Sequence, residues 1–350
     1  MIGCDTDPDR AGFVRSLPER GLSWQGMLEG IPALKERVRS VSDDAGRAPV
    51  FTWHLRADEQ IRALQGSYAW MVETHSDLVD SLKASGDEIG WHPHFWRHDP
   101  ALGRWYQEVV DDDWQLEMLR AAHAALGVAG FRPRSVRMGW DFHTAETLAE
   151  LSGLGIRTDL SALPGMRTMY GVPPRRSENL YDWFDAPERP YHPSAANYQR
   201  RARGGEAALP ILELPIFVAH DRFWGLAAGA QLARKTRRGR LLVDAVVRPS
   251  YFINITARPT LFRPMVRALR RTLKLRERTP PVFATYFHPD ELLPDQRTLY
   301  ALDHVPENLR ALLAAIRAEG AQPLFMTSDE AATRWVEPRQ AVTSTPADVR

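Results

Sequence analysis

Two rhythms of apolar residues alternate along this chain. Short runs rich in branched and aromatic residues are followed by longer stretches with an apolar position every third or fourth residue. That alternation predicts a mostly parallel sheet wrapped in helices. Residues 1–4 read as a first strand that opens into the acidic, proline-containing turn 5–10. Residues 22–41 place Leu28, Ile31, Leu34 and Val38 on one helical face, with a kink or restart at Pro32. Strands are then expected at 49–55 and 88–91, the second running straight into His92, with a short amphipathic helix over 77–85 between them, stopped by Gly86. After a helix over 114–126 the pattern repeats as a strand at 135–138, a helix at 144–153 and a strand at 157–160. Further strands are read at 211–217 and 282–287, a helix at 306–318 and a last strand at 322–326. Seven or eight strands, each followed by a helix or loop, suit a closed barrel better than an open sheet.

The expected architecture is therefore one distorted (β/α)7-8 barrel domain over residues 1–335, with a polar, disordered tail at 336–350. Two long insertions break the rhythm. The first, 164–206, is rich in proline, arginine and aromatics, which is the character of a lid or binding loop. The second, 221–278, contains the basic stretch 234–278, part of which has Phe262, Met265, Leu269 and Leu273 at helical spacing beneath a cationic face.

Composition narrows the choice of partner and compartment. The formal net charge is only +1, which gives no global reason to expect nucleic acid. Cys4 is the single cysteine, so neither an internal disulfide nor a cysteine-based zinc site is possible. No charged leader with an apolar stretch opens the sequence, and no run of about 18 apolar residues occurs, so no transmembrane segment is expected. The expectation is a cytoplasmic protein, although Met1–Cys4 is short for a first strand and a start upstream of Met1 stays open. The basic stretch 234–278 is a candidate for contact with a membrane surface.

Two clusters carry candidate chemistry. In Asp5-Thr6-Asp7-Pro8-Asp9, carboxylates crowd the end of a strand, where they repel unless a cation compensates. Residues two apart on an extended chain point the same way, so Asp5 and Asp7 address one point. Taken alone, the segment reads equally well as a solvated acidic turn or a helix cap. The second cluster is Trp91-His92-Pro93-His94-Phe95-Trp96, where two imidazoles again lie two apart at a strand end. Such a pair with a carboxylate suits a divalent ion of borderline softness such as zinc. Histidines packed at the edge of the core are the competing explanation.

The order of these elements resembles the polysaccharide deacetylase superfamily, the NodB-homology carbohydrate esterases. Gly86-Asp87-Glu88-Ile89-Gly90-Trp91-His92 is similar to the segment that presents that family's first metal-binding histidine. Phe131-Arg132-Pro133-Arg134-Ser135-Val136-Arg137-Met138-Gly139-Trp140 resembles its arginine motif, and Pro281-Val282-Phe283-Ala284-Thr285-Tyr286-Phe287-His288-Pro289 its late histidine motif. The resemblance implies that Asp5 is the catalytic base, oriented by Arg137, and that His288 is the general acid. It also implies that Asp7 and His92 bind the metal. Two departures stand out: Thr6 separates aspartates that are adjacent in the family, and Trp96 occupies the position of the second histidine. His94 is taken as the substitute ligand, with His98 as the alternative.

The function so implied is that of a metal-dependent hydrolase that removes acetyl groups from a sugar or polysaccharide, acting on a C–N bond other than a peptide bond. The alternatives are hydrolysis of another non-peptide C–N bond on the same scaffold, and a catalytically silent carbohydrate-binding barrel. Candidate substrate contacts are Trp140, Asp159, Trp183 and His220, and the aromatics Tyr181, Tyr191 and Trp224 also suit sugar stacking. His54 reads as structural; His123 and His143, on helical patterns, read as surface residues.

Overall fold

The computed structural model describes residues 1–9, 22–101, 103–168, 181–220, 226, 230, 250–274, 282–294 and 300–340. Seven parallel strands form its centre: β1 (Ile2–Thr6), β2 (Thr52–Arg56), β3 (Glu88–His92), β4 (Ser135–Val136), β5 (Thr158–Asp159), β6 (Leu212–Glu213) and β7 (Thr285–Phe287). Their order across the sheet is β6-β5-β4-β3-β2-β1-β7. A single parallel bridge, Ile216 to Ala284, joins the continuation of β6 to the start of β7. The sheet thus curls until its two edges meet, giving a distorted barrel of seven strands. The expected strand at 322–326 does not join it. There the Phe325 N–H donates to Asp43 Oδ2 at 2.8 Å, the Phe325 carbonyl accepts from Arg47 at 3.3 Å and the Pro323 carbonyl accepts from the Asp44 N–H at 3.2 Å, so the 43–47 loop takes the bonds a neighbouring strand would have used.

The central strands are buried on both faces, which is why they read as near-continuous apolar or small-residue runs. Along β2 the alternation is clear. Phe51, Trp53 and Leu55 join the apolar layer beneath the helices, while His54 points into the barrel interior. The register Asp5↔His54↔Gly90 puts that imidazole between two strands that make room for it. A Cβ on Gly90 would lie 2.6 Å from His54 Cδ2, so only glycine allows the ring to fill the centre.

Helices follow local rules. Asp58 caps Glu59–Gln65 by accepting from the Gln60 and Ile61 N–H groups, and Gly66 ends it at φ 90°. Thr144 and Thr147 form a reciprocal cap at the start of Ala145–Gly153. The helical segment over 22–41 restarts at Pro32, as its sequence predicts: a π-type turn, Gly26–Gly30, gives way to the α-helix Ile31–Arg37, which carries Pro32 in its first turn. The last helix, Ser328–Gln340, extends past residue 335, and residues 341–350 lie outside the described residues. Among the described residues no helix is long and apolar enough to cross a membrane.

Candidate metal centre

The parallel arrangement brings the carboxyl ends of all seven strands to one rim, the end at which barrels of this kind carry their chemistry. From β1 come Asp5 and, just beyond it, Asp7, whose N–H donates back to the Asp5 carbonyl at 2.7 Å. From β3 come His92 and His94, from the end of β4 Arg137, and from the end of β7 His288.

Asp7, His92 and His94 converge. The Nε2 atoms of His92 and His94 are 3.0 Å apart, and Asp7 Oδ1 lies 3.7 Å from the first and 3.4 Å from the second. A tetrahedral ion with bonds of about 2.0–2.1 Å needs ligand–ligand edges of about 3.3–3.4 Å. The three edges observed bracket that value, so the donor set fits such an ion. His92 Nδ1 lies 2.6 Å from the Arg137 carbonyl. A carbonyl only accepts, so Nδ1 carries the proton and Nε2 keeps its lone pair for the shared point. All three side chains are nearly buried, with 2–6% exposure.

His94 rather than His98 completes this group. The exposed His98 has its ring against Trp105, whereas His94 stacks on Trp96, the residue standing where the family has its second histidine. The approach is close from the other side too: a Cβ on Gly139 would lie 2.0 Å from the His94 ring. Gly139 begins a tight turn in which Trp140 and Asp141 both have positive φ, 58° and 57°. Half-buried Trp140 meets Trp96 edge-on at 5.2 Å, so His94, Trp96 and Trp140 form a continuous aromatic wall at the rim.

Beside the triad, Arg137 Nε donates to Asp5 Oδ2 at 2.9 Å, Nη1 donates to the Leu160 carbonyl at 2.6 Å, and Nη2 lies 2.7 Å from Asp141 Oδ1. The guanidinium also lies over the Tyr286 ring at 3.7 Å. Burial pushes the Asp5 carboxyl up, but Arg137 and the neighbouring histidines outweigh it and hold Asp5 below the usual carboxylate value. For Asp7 burial is likewise outweighed, by His94 and Arg56, and its carboxyl lies well below. His92 is raised, because Asp5 and Asp7 overcome its burial; His94 is lowered to about 4 by burial and the nearby Arg56. Asp141 is pushed up to about 6 by burial, only partly offset by Arg137.

His288 closes the ring of groups. Its Nε2 is 3.8 Å from Asp5 Oδ2 and 3.9 Å from Asp7 Oδ2, and its Nδ1 is 3.3 Å from Glu291 Oε1. Glu291 is itself fixed by Asn254 (2.6 Å) and Thr256 (2.7 Å). With 18% side-chain exposure, His288 is the member of this group most open to solvent.

The remaining candidates are placed differently. Asp159 and Trp183 are fully buried: Asp159 pairs with His143 at 2.8 Å, and the Trp183 indole donates to the Asp141 carbonyl at 2.6 Å. Tyr181 and Tyr191 are also buried, Tyr181 packing with Trp183 in a second apolar cluster. His143, expected on the surface, is instead buried, because it precedes its helix and turns inward to Asp159. Burial raises both Asp159 and Glu213, but His143 keeps Asp159 low, whereas Asp159 pushes Glu213 well above the usual carboxylate value. His220 ends the strand Val218–His220, but its side chain, like all of Trp224 and residues 231–249, lies outside the described residues. Arg56, Asp58, Asp141 and Glu291 are site residues that sequence reasoning missed. The one signal for Arg56 was its period-two spacing from His54 on a strand.

No family model matches this chain, and no curated protein matches it. Solved structures do. A "putative glycoside hydrolase/deacetylase" from Parabacteroides distasonis superposes with TM-score 0.55 at 16% identity, over 95% of this chain and 70% of that one. A "putative polysaccharide deacetylase" from Mycobacterium smegmatis gives 0.43 at 16% identity, covering 93% and 82%. A family 4 carbohydrate esterase from Streptomyces lividans, in complex with acetate, gives 0.34 at 8% identity, covering 92% and 88%. The first of these likenesses establishes the fold: this chain is a distorted (β/α) barrel of the glycoside hydrolase/deacetylase type.

Proposed function

We propose that this protein is a metal-dependent hydrolase that removes acetyl groups from a sugar or polysaccharide, with a divalent ion, zinc by its donor set, held by Asp7, His92 and His94. The observation that carries the reading is one rim with three converging metal donors, an Arg-paired carboxylate and an imidazole that faces both aspartates. Two imidazoles and a carboxylate are the protein donors of a catalytic zinc site with an open position. When bound, such an ion polarises a carbonyl and brings the pKa of a water toward neutrality.

The chain's own groups account for the proton transfers. Asp5 is the general base: Arg137 keeps it ionised through Oδ2, and among the described residues its buried Oδ1 has no protein hydrogen-bond partner, leaving that oxygen to take a proton. His288 is the general acid. Glu291 holds its Nδ1, which aims Nε2 at the same space from the solvent side, where the leaving amine or alcohol departs. Trp140, on the aromatic wall beside His94, is the proposed sugar-stacking residue. The exposed Arg263, Arg267, Arg270 and Arg271 on one face of helix Pro259–Lys274 are the proposed contact with an anionic surface.

A second reading has a specific observation in its favour. Tyr181, Trp183 and Tyr191 are buried in the core, which suits a small non-peptide C–N substrate better than a long glycan. One experiment separates the two: acetate or amine release from acetylated oligosaccharides and from small cyclic amides, with and without chelator. Chelator-sensitive acetate release from a glycan is the expected result. Turnover of cyclic amides alone would favour the second reading, and no chelator-sensitive turnover of either would defeat both.

A further inference from the structure

Asp7 and His94 are the two triad members whose spacing departs from the family pattern, and a pair of buried opposite charges joins them. Arg56, at the end of β2, has a fully buried side chain. Its Nη1 donates to Asp7 Oδ1, its Nε to Asp58 Oδ2, and its Nη2 to Gln60 Oε1 at 2.8 Å. Asp58 Oδ2 also accepts from the His94 backbone N–H at 3.0 Å, while Oδ1 accepts from the Gln60 and Ile61 N–H groups at 3.0 and 3.1 Å. Thr6, the residue that separates the two aspartates, joins the same network. Its hydroxyl donates to the His54 carbonyl at 2.9 Å and accepts from the Arg56 N–H at 3.1 Å.

We infer that Arg56 and Asp58 form a clamp of positioning residues that holds Asp7 and His94 in register for a divalent ion, and that the D-x-D and H-x-H spacings work because of it. The inference rests on the proposed metal site. A carboxylate turns easily about its last torsion, a broad and roughly two-fold well, so Asp7 needs a partner to aim one oxygen at two imidazoles. The guanidinium supplies this because three of its donors in a rigid plane engage three different side chains. Asp58 and Gln60 anchor it from the far side, so it cannot follow Asp7 if that side chain rotates. Through Asp58 the same unit fixes the backbone on which His94 is carried.

Cobalt(II) is a suitable probe, because its visible absorption reports coordination geometry without any turnover. Wild type, Arg56→Gln, Arg56→Lys, Asp58→Asn and the Arg56→Gln/Asp58→Asn double variant would be titrated with Co²⁺ against a competing chelator, with circular dichroism as the check on folding. His92→Ala, which removes a donor atom, marks the loss of the site. The clamp predicts 10–100-fold weaker cobalt binding by Arg56→Gln and by Asp58→Asn, with reduced visible intensity and partial rescue in Arg56→Lys. The double variant should be about as weak as the weaker single, since both changes cut one unit. Wild-type affinity and spectrum in folded Arg56→Gln or Asp58→Asn would overturn the clamp and leave the metal reading standing. Cobalt binding absent from the wild type would overturn both. If Arg56→Gln does not fold, Asp58→Asn, which keeps its volume and helix-capping ability, decides the question.

Discussion

Asp5 and Asp7 are two residues apart and chemically identical, yet their neighbours assign them different work. Asp7 faces two imidazoles, whereas Asp5 faces a guanidinium and keeps one oxygen free of protein partners. Asp5→Asn should therefore lower kcat by about 10²–10⁴-fold while the protein still binds its metal ion, measured as acetate release alongside metal content. Loss of metal together with activity would reassign Asp5 as a ligand. Asp141 gives a separate test through its proton. Its folded-state value is about 6, above the ordinary 3.8, so the stability attached to this group is fully present below pH 3.8 and is lost as pH rises through 6. Asparagine has no such proton to lose. The stability of Asp141→Asn relative to wild type should rise by roughly 2 kcal/mol between pH 4 and pH 8, read from urea denaturation at both pH values. A difference independent of pH would mean that Arg137 fully compensates the charge. The aspartates and histidines at these strand ends were legible because period-two spacing puts such pairs on one side. Arg56 and Asp141 were not: nothing in the sequence distinguishes an arginine that is fully buried from one that ends a strand in solvent, or shows that Asp141 follows a positive-φ tryptophan.

Among elements, the longer helices and the central strands lie near the positions their hydrophobic periods predict, whereas the short helices Glu59–Gln65 and Trp70–Thr74, too brief to show a period, were not read. Errors fell where long-range contacts decide. The apolar run at 322–326 has the composition of a strand, but its backbone bonds go to the loop residues Asp43, Asp44 and Arg47, contacts formed across nearly the whole chain. The 164–206 insertion was read as a lid rich in stacking aromatics, yet Trp183 and Tyr191 are buried, a distinction that composition alone does not make. Helix Pro259–Lys274 was legible on both faces as far as residue 271, and the Leu273 side chain lies outside the described residues. Phe262, Met265 and Leu269 are buried, and Arg263 and Arg267 are exposed one turn apart. With its apolar side already covered, the exposed face has charge alone to offer, so any anionic surface it meets is held electrostatically. At low salt the protein should co-sediment with vesicles containing anionic lipid and not with neutral ones, and release as salt shortens the screening length. At about 1 kcal/mol per basic residue, Arg263→Gln with Arg267→Gln should weaken that binding roughly 30-fold. Wild type that ignores anionic vesicles at low salt would remove the helix from consideration as a contact surface.

For the whole molecule, the barrel divides its polar residues between two ends with different tasks. The carboxyl ends of the strands carry the three converging donors Asp7, His92 and His94, together with Asp5 and His288, the proposed base and acid. At the opposite end Glu88, the first residue of β3, holds the start of the last helix. Its Oε2 accepts from Ser328 Oγ at 2.7 Å and from the Asp329 N–H at 3.0 Å, with Thr52 Oγ1 at 3.4 Å. A carboxylate thus caps the start of Ser328–Gln340 from inside the barrel, where it also meets the positive end of the helix dipole. His92 is four residues further along the same strand, about 13 Å away at roughly 3.3 Å per residue. At that separation a change at Glu88 is expected to alter stability without altering the metal affinity of the folded protein. Glu88→Ala leaves Ser328 Oγ and the Asp329 N–H without their acceptor and should cost about 1–3 kcal/mol in urea denaturation. Glu88→Gln, which keeps one acceptor oxygen, should cost less. Neither should change metal affinity measured by chelator competition under conditions where the protein is folded. A large fall in affinity in a folded Glu88 variant would show that the two ends of the barrel are mechanically coupled, and the seven-strand ring would then have to be treated as one cooperative unit from the last helix to the proposed metal donors.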